Sequence, residues 1–523
     1  MARPGFPQGS GLPAGEHSRS RAQVARIEET KGLHRNMISI DARTGRQLIV
    51  DDHLLEHRSL VRTWLPPTPS ARNPVLAPTT DRDMNGGRCP VAAPFDDGIL
   101  YDHESGQWRV WYMSGWFDRT SLRTSADGVA WNDRAPRELT GLAYEEGGSI
   151  LQRDGVSICR DYADAEAKYR MLRWVRRRTG DFGPDDLPAH STPVISEGGE
   201  IYSSNDGEHW VHEGPSGPCG DNTTFFYDPF RRKWVFSLRT HLGPYGRGRG
   251  WHEADDFHAA SRWAEDEVLP WVGSHGFGAA PAFGDLRTPE IYKVTCMPYE
   301  SAMLGVFAVY RGPSNDYAEA HGLPKIIDLY LGISRDGYHY TVNPEPFLAS
   351  SLVPDAWDYG YLHMVNGGII PYGDETRIYY TGFSGISPSL GHHMYAGASM
   401  GLATMRRDGF CALTPGPEGT GSIRTRPLLV QGSHLFINIC TGAGEAEATV
   451  TDLDTGATET HTVPQGIDNT RYGIPLATPT VPTPRRVTVT LGLSADAHLY
   501  SFWFSEESGS SGGYSAGGPI LWD

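Results

Sequence analysis

One short phrase recurs along this chain, and its spacing restricts the folds open to it. Ser125-Ala-Asp127-Gly128-Val-Ala-Trp131 returns as Ser204-Asn-Asp206-Gly207-Glu-His-Trp210 and as Ser334-Arg-Asp336-Gly337-Tyr-His-Tyr340. A weaker copy is Arg406-Arg-Asp408-Gly409-Phe-Cys-Ala412. Asp-Gly is turn chemistry, since glycine supplies the positive φ and aspartate caps the turn. The four Asp positions lie 79, 130 and 72 residues apart, so the middle gap is close to two units and one copy has degenerated. Aromatic strands supply a second landmark at Trp108 (WRVWYMSG), Lys168 (KYRMLRW), Lys233 (KWVFSLRT), Leu304 (LGVFAVYRG) and Thr376 (TRIYYTG), spaced by 60, 65, 71 and 72. Five units sharing one period predict an all-β chain with a five-bladed β-propeller over residues 45–420. A large β-sandwich with chance similarity is the alternative, and agreement between two landmarks favours the propeller. The 62 glycines, 38 prolines and 11% aromatic residues suit many turns and many strands.

Beyond about Thr420 the phrase is absent. Short alternating strands such as RRVTVTLGL and HLYSFWF predict a small β-sandwich over residues 421–505. Residues 506–523 are Ser/Gly-rich and read as a flexible tail. Residues 1–44 read as a disordered leader without the apolar segment of a secretory signal, and residues 47–56 (QLIVDDHLLE) as a strand that closes the ring. A net charge of −17 argues against nucleic acid and anionic lipid, and no apolar run is long enough to span a membrane. Six scattered cysteines without a CxxC fit a reducing cytoplasm rather than a disulfide framework.

Inner strands of a propeller converge on its axis, so chemistry is expected at their entrances. Asp96-Asp97, Asp154, Asp221 and Glu290 stand just ahead of the first four inner strands, and His363 ahead of the fifth. Counting back from the second strands, Asp97, Asp154, Asp221, Glu290 and His363 have offsets of 11, 14, 12, 14 and 13. Any one such acid is more simply a turn cap, but four in register point to a shared site. Clustered carboxyls cannot all ionise, and a protonated acid beside an ionised one is what glycosidic hydrolysis requires. Glu300 either lines the cleft or ends a turn. Arg239 and Arg311 could hold a hydroxyl or carboxylate, although a salt bridge is the plainer role. Trp116, Phe117, Trp251, Tyr361 and Tyr395 are candidates for stacking on sugar faces.

Other patterns are set aside. Gly397-Ala-Ser399-Met-Gly401 matches a nucleophile-elbow string but lacks the strand-to-helix context that the motif needs. His252, Asp255, Asp256 and His258 lack metal-ligand spacing. No nucleotide fingerprint occurs, and no cofactor is expected beyond a single structural cation for which the axis near His363 leaves room.

The order VDDHLLE, NPVL, APFDDGILYD, WYMSGW, SADGVAW, FFYDPFRRKWVFSLR, PYESAMLG, GLATMRRDGF and LYSFWF resembles uncharacterised bacterial proteins described as like the N-terminal domain of glycosyl hydrolase family 32. They belong with the five-bladed propeller glycosidases, related to families 32 and 43. The resemblance spans roughly residues 45–505. It implies a glycosidase in which acids of the first three blades, here Asp97, Asp154 and Asp221, surround the scissile bond. FDDG replaces the invertase-type WMNDPNG signature, and Asp221 stands where a third-blade glutamate usually acts as acid. On this reading Asp97 is nucleophile or base, Glu290 or Glu300 is the acid, and Asp154 and Asp221 tune pKa or hold hydroxyls. The expected partner is a small glycoside or oligosaccharide, furanosides included, and homo-oligomerisation is left open. The rivals are a transglycosylase or phosphorylase on the same fold, which for phosphorolysis needs a basic cluster near the acids, and a non-catalytic carbohydrate-binding propeller.

Overall fold

A computed structural model of the protein describes residues 38–520, apart from residues 163, 165–166, 180–193, 244–245, 275, 278–288, 478 and 481. The protein is all-β. The α-helices among the described residues are short: Asp81–Met84, Phe257–Ala260 and Asn315–His321.

Five antiparallel meanders follow one another. The first runs through Val91–Asp102, Gln107–Ser114, Arg119–Ser125 and Arg137–Glu138. The second uses Ser149–Arg160, Tyr169–Thr179, Val194–Ser204 and Val211–Pro215, and the third Thr224–Asp228, Lys233–His241, Arg247–Ala254 and Leu269–Val272. The fourth comprises Glu290–Tyr299, Ala302–Gly312, Ile326–Ser334 and Thr341–Val342. Tyr361–Tyr372, Glu375–Phe383 and Ala398–Arg406 form the fifth, completed by Thr68–Pro69 from the start of the chain. Short parallel bridges join the fourth meander to the fifth at Ile327 and Tyr361, and the fifth to the first at Ala398 and Val91.

The repeated Asp-Gly phrase is the turn after the third strand. Asp127 Oδ1 accepts the backbone N–H groups of Val129 and Ala130, and Asp206 and Asp336 repeat this on their own turns. Each turn also docks on the preceding meander. The Trp111 indole donates to Gly207 O at 2.8 Å, and Tyr379 of the fifth meander donates to Gly128 O at 2.9 Å. Gly207 has φ 76°, and a Cβ there would lie 2.6 Å from the Trp111 ring, so glycine is required twice over. In the weak copy Asp408 itself takes positive φ and is buried against the second domain.

That domain is a two-sheet sandwich that draws on residues 40–64 as well as 411–505. One sheet pairs Ile40–Asp41 with Leu428–Val430 and Leu55–Arg58 with Thr420–Thr425. The other pairs Gln47–Leu48 with His498–Ser505 and Val61–Trp64 with Cys411–Thr414. Leu54 and Leu60 join Ile437, Val489 and Phe502 in its core. Residues 38–64 therefore belong with the sandwich, not with a leader or the repeats, and the strand that completes the fifth meander is Thr68–Pro69 rather than 47–56. The remainder of the expected leader, residues 1–37, lies outside the described residues.

The tail also departs from expectation. Through residue 520 it is packed: Ser515 and Ile520 are buried, and Tyr514 exchanges backbone hydrogen bonds with Glu300 at 2.7 and 3.2 Å. Its glycines serve close approach, since a Cβ on Gly513 would meet Glu300 Cα at 2.9 Å.

Candidate functional site

The first strands of four meanders break register partway along: between Ala93 and Gly98, Arg153 and Val156, Ile291 and Lys293, and Met364 and Ile369. Such bulges bend a strand and re-aim its side chains. Asp96 and Asp97 lie in the first break and Asp154 in the second, while His363 stands just ahead of the fourth. These four residues are thus inside their strands, not ahead of them as the offsets suggested. Glu290 opens its strand, and Asp221 lies in the turn before Thr224–Asp228.

A cavity of about 520 Å³ opens here, with Asp154, Asp221 and Glu290 in its wall. Trp116, Phe117, Tyr361 and Tyr395 supply aromatic faces, and Trp116 stacks on Tyr395 at 4.6 Å between centroids. Arg176, Arg178, Arg247 and Lys325 also line it.

Beneath the cavity wall lies a fully buried charged layer. Lys293 Nζ pairs with Asp96 Oδ1 and donates to Phe95 O at 3.2 Å and Met364 O at 2.6 Å. Burial opposes ionisation of Asp96, but the Lys293 charge and the adjacent His363 outweigh it and hold the carboxyl at about 2. Burial and Lys293 push His363 down to about 4, leaving the imidazole neutral near pH 7. Lys293 thus stands beside His363, where the sequence leaves room for a structural cation. Among the described residues no group of three or more His, Cys, Asp or Glu side chains could hold a metal.

Asp97 is equally buried and takes both terminal nitrogens of Arg153, at 2.8 and 3.2 Å. Burial raises its carboxyl against the pull of that guanidinium. Arg153 in turn donates to Asp154 O at 3.0 and 2.7 Å, so Asp97 fixes the backbone of its neighbour without reaching the cavity. Asp154 points its carboxyl to Arg176, Oδ2 to Nη1 2.8 Å, and Arg176 Nη2 lies 3.7 Å from Asp221 Oδ2. Burial drives the Asp154 carboxyl up to about 7; Arg176 resists this and the Asp221 charge reinforces it.

The structure brings Asp154, Asp221, Glu290 and Trp116 together at the cavity, with Asp96, Asp97 and His363 behind them and Arg239 paired to Asp221. It does not bring Glu300 there. Glu300 opens the two-residue turn after Tyr299 at φ 53°, at the far end of a ten-residue strand from Glu290, about 30 Å away at the usual rise. Its carboxylate is buried against Arg407, Arg46 and Ser511. Arg311 pairs with Asp328 at 2.5 Å and is not part of the cavity wall. Trp251 packs against Trp271 away from the site.

Sequence reasoning missed Arg176, Arg178, Arg247, Lys325 and Tyr292. A signal existed for the first two: in WVRRRT, alternate residues share a face, so Arg176 and Arg178 reach the cavity while Arg177 turns away to Glu146. The helix Asn315–His321 at the cavity rim was also legible, with Ser314 as N-cap and Gly322 at its left-handed end.

No protein-family model matches the chain, and no curated protein does. Solved structures resembling it include an N-acetylgalactosamine deacetylase from F. plautii in complex with blood group B trisaccharide, at 13% identity over 66% of this chain and 95% of that one, TM-score 0.41. A glycosyl hydrolase from Bacteroides ovatus matches at 13% identity over 69% of this chain and 96% of that one, TM-score 0.39. An exo-β-1,3-galactanase from Phanerochaete chrysosporium matches at 9% identity over 82% and 99%, TM-score 0.33.

Proposed function

We propose that this chain is a glycoside hydrolase on a five-bladed β-propeller, its five meanders being the blades and the cavity the sugar site. One observation carries the reading: a cavity-wall carboxyl, Asp154, raised to about 7 beside a second carboxylate, Asp221. Cleaving a glycosidic bond needs one carboxyl that gives a proton to the leaving oxygen and another, ionised, at the anomeric carbon. Asp154 is the donor. Asp221, held by Arg239 and Arg176, is the partner carboxylate at the anomeric carbon, and Glu290 takes a sugar hydroxyl. Asp97 and Asp96 are positioning residues acting through Arg153 and Lys293. Trp116, stacked on Tyr395, offers an apolar wall for the sugar ring. A cavity of about 520 Å³ suits a small glycoside or short oligosaccharide, furanosides included.

Because Arg176 bridges Asp154 and Asp221, their nearest oxygens are at most about 9 Å apart. That bound admits the ~5–5.5 Å of a retaining pair and the ~6.5–9.5 Å of an inverting one. The test is a screen of aryl glycosides, including furanosides, on wild type, Asp154→Asn and Asp221→Asn, with product anomers followed by NMR. Both variants are expected to lose at least about a hundredfold in turnover. Wild-type turnover in Asp154→Asn, or no glycoside cleaved by wild type, overturns the reading.

A further inference from the structure

Among the described residues two cations of the cavity, Lys325 and Arg247, make no direct ion pair with its carboxylates, although the Asp221 and Glu290 charges favour the cationic form of Arg247. Lys325 is 3% exposed, in the loop between the rim helix and the strand Ile326–Ser334. Its ammonium faces four tyrosine rings of the same cavity: Tyr395 at 4.6 Å, Tyr292 and Tyr361 at 5.3 Å, and Tyr310 at 5.9 Å from the ring centroids. Among the described residues no carboxylate pairs with it. Arg247 lies over the same Tyr292 ring, its guanidinium carbon 4.7 Å from the centroid. Glu290 accepts the backbone N–H of Arg247 at 3.2 Å, and among the described residues Arg247 Nη1 is buried without a hydrogen-bond partner.

Burial opposes the Lys325 charge, but a hydrogen bond to the Tyr395 hydroxyl and the surrounding tyrosines outweigh it, so the ammonium stays charged with no carboxylate to neutralise it. A buried guanidinium nitrogen left without an acceptor calls for an explanation of its own. Both features lie on one wall of one cavity, in a protein whose net charge is −17. A ligand oxyanion seated between Lys325 and Arg247 would satisfy both at once, through charge-assisted hydrogen bonds.

We infer that Lys325 and Arg247 form an oxyanion subsite of the sugar cavity, so that the substrate enters with a negative charge. This rests on the glycosidase reading for its sugar. The anion has two sources: a carboxylate carried on the sugar, as in a uronic acid, or free inorganic phosphate as co-substrate. With phosphate, one of its oxygens forms a bond to the anomeric carbon as the glycosidic C–O bond breaks. The leaving oxygen keeps the bonding electron pair and takes the Asp154 proton, giving a sugar 1-phosphate and an alcohol.

The test titrates glucuronate, inorganic phosphate and neutral glucose separately into the full chain by calorimetry, with wild type, Lys325→Met, Lys325→Arg and Arg247→Gln. Thermal melting of each variant establishes that it is folded. At least one anion is expected to bind wild type, tenfold or more weaker in Lys325→Met and in Arg247→Gln, and to recover in Lys325→Arg, while glucose shows no such pattern. Aryl glucuronides against aryl glucosides, and ³¹P NMR for a sugar 1-phosphate, then separate the two sources. The subsite is overturned if neither anion binds up to about 10 mM, or if binding is unchanged in the folded variants. Cleavage of neutral glycosides alone, unaffected by either anion, overturns the subsite and leaves the hydrolase standing. Anion binding with no glycoside cleaved overturns the hydrolase and leaves the subsite standing.

Discussion

At neutral pH about half of the Asp154 carboxyls keep their proton, since burial and the Asp221 charge raise the group from 3.8 to about 7 against Arg176. As proton donor it must be in the acid form, so kcat/KM is expected to fall about tenfold per pH unit above pH 7. A rate that is flat from pH 6 to 9 would remove Asp154 from the donor role. The same shift acts on stability with a definite sign. A carboxyl raised by folding contributes stability that is fully present below pH 3.8 and lost as pH climbs through 7, because the unfolded chain ionises freely while the native chain must bury the charge. Asp154→Asn is therefore expected to stabilise the fold at pH 8 by about 1–3 kcal/mol and to leave it nearly unchanged at pH 4. Denaturant titrations at the two pH values check this, and a loss of stability at pH 8 contradicts it.

At the level of strands and turns, the Asp-Gly phrase does two separable things: it permits a positive φ, and it brings the turn against the neighbouring meander. Gly106, outside the phrase in the turn between Val91–Asp102 and Gln107–Ser114, has φ 64° and nothing within 4 Å of a Cβ, so it needs only the first; Gly207 needs both. Gly106→Ala is expected to cost about 1 kcal/mol, while Gly207→Ala, pressed into Trp111, costs about 2–4 kcal/mol by chemical denaturation. Equal costs would mean that the turn is not locked to its neighbour. This contrast explains what the chain made legible. Turn chemistry is local, so Asp127, Asp206 and Asp336 announced the repeat and its period. The acids were legible as a group but not in their roles. Inside a strand a bulge decides which of two adjacent residues faces the cavity, and nothing in QRDGVS or PFDDG says where the register breaks. Arg153 and Lys293, which bury Asp97 and Asp96 behind the wall, come from other strands and left no local sign.

Across the described residues the fold is fastened by segments far apart in sequence, residues 40–69 and 511–520. The N-terminal strands complete the sandwich, Thr68–Pro69 completes the fifth meander, and the tail returns beneath the fourth. Composition pointed the other way for the tail, because Ser and Gly describe the entropy of a free chain and not the surface that receives it. Where these parts meet stands Glu300, one carboxylate shared by Arg407 of the fifth meander's turn, Arg46 of the N-terminal segment and Ser511 of the tail, all buried. Asp408 adds Arg46 and Ser501 to the same layer. Replacing Glu300 by glutamine keeps the shape and removes the charge, so two buried guanidinium groups, Arg46 and Arg407, are left to share Asp408 alone. Removing one partner of a buried pair typically costs about 3–5 kcal/mol. Glu300→Gln is therefore expected to lower the denaturation midpoint strongly and to free the tail for proteolysis after Glu506. Lying about 30 Å from Glu290, it should leave turnover per folded molecule at the wild-type level. A fall in turnover of Glu300→Gln at a temperature where it is fully folded would return Glu300 to the chemistry; an unchanged midpoint would show that the segments around Arg46 and Ser511 are held by something else.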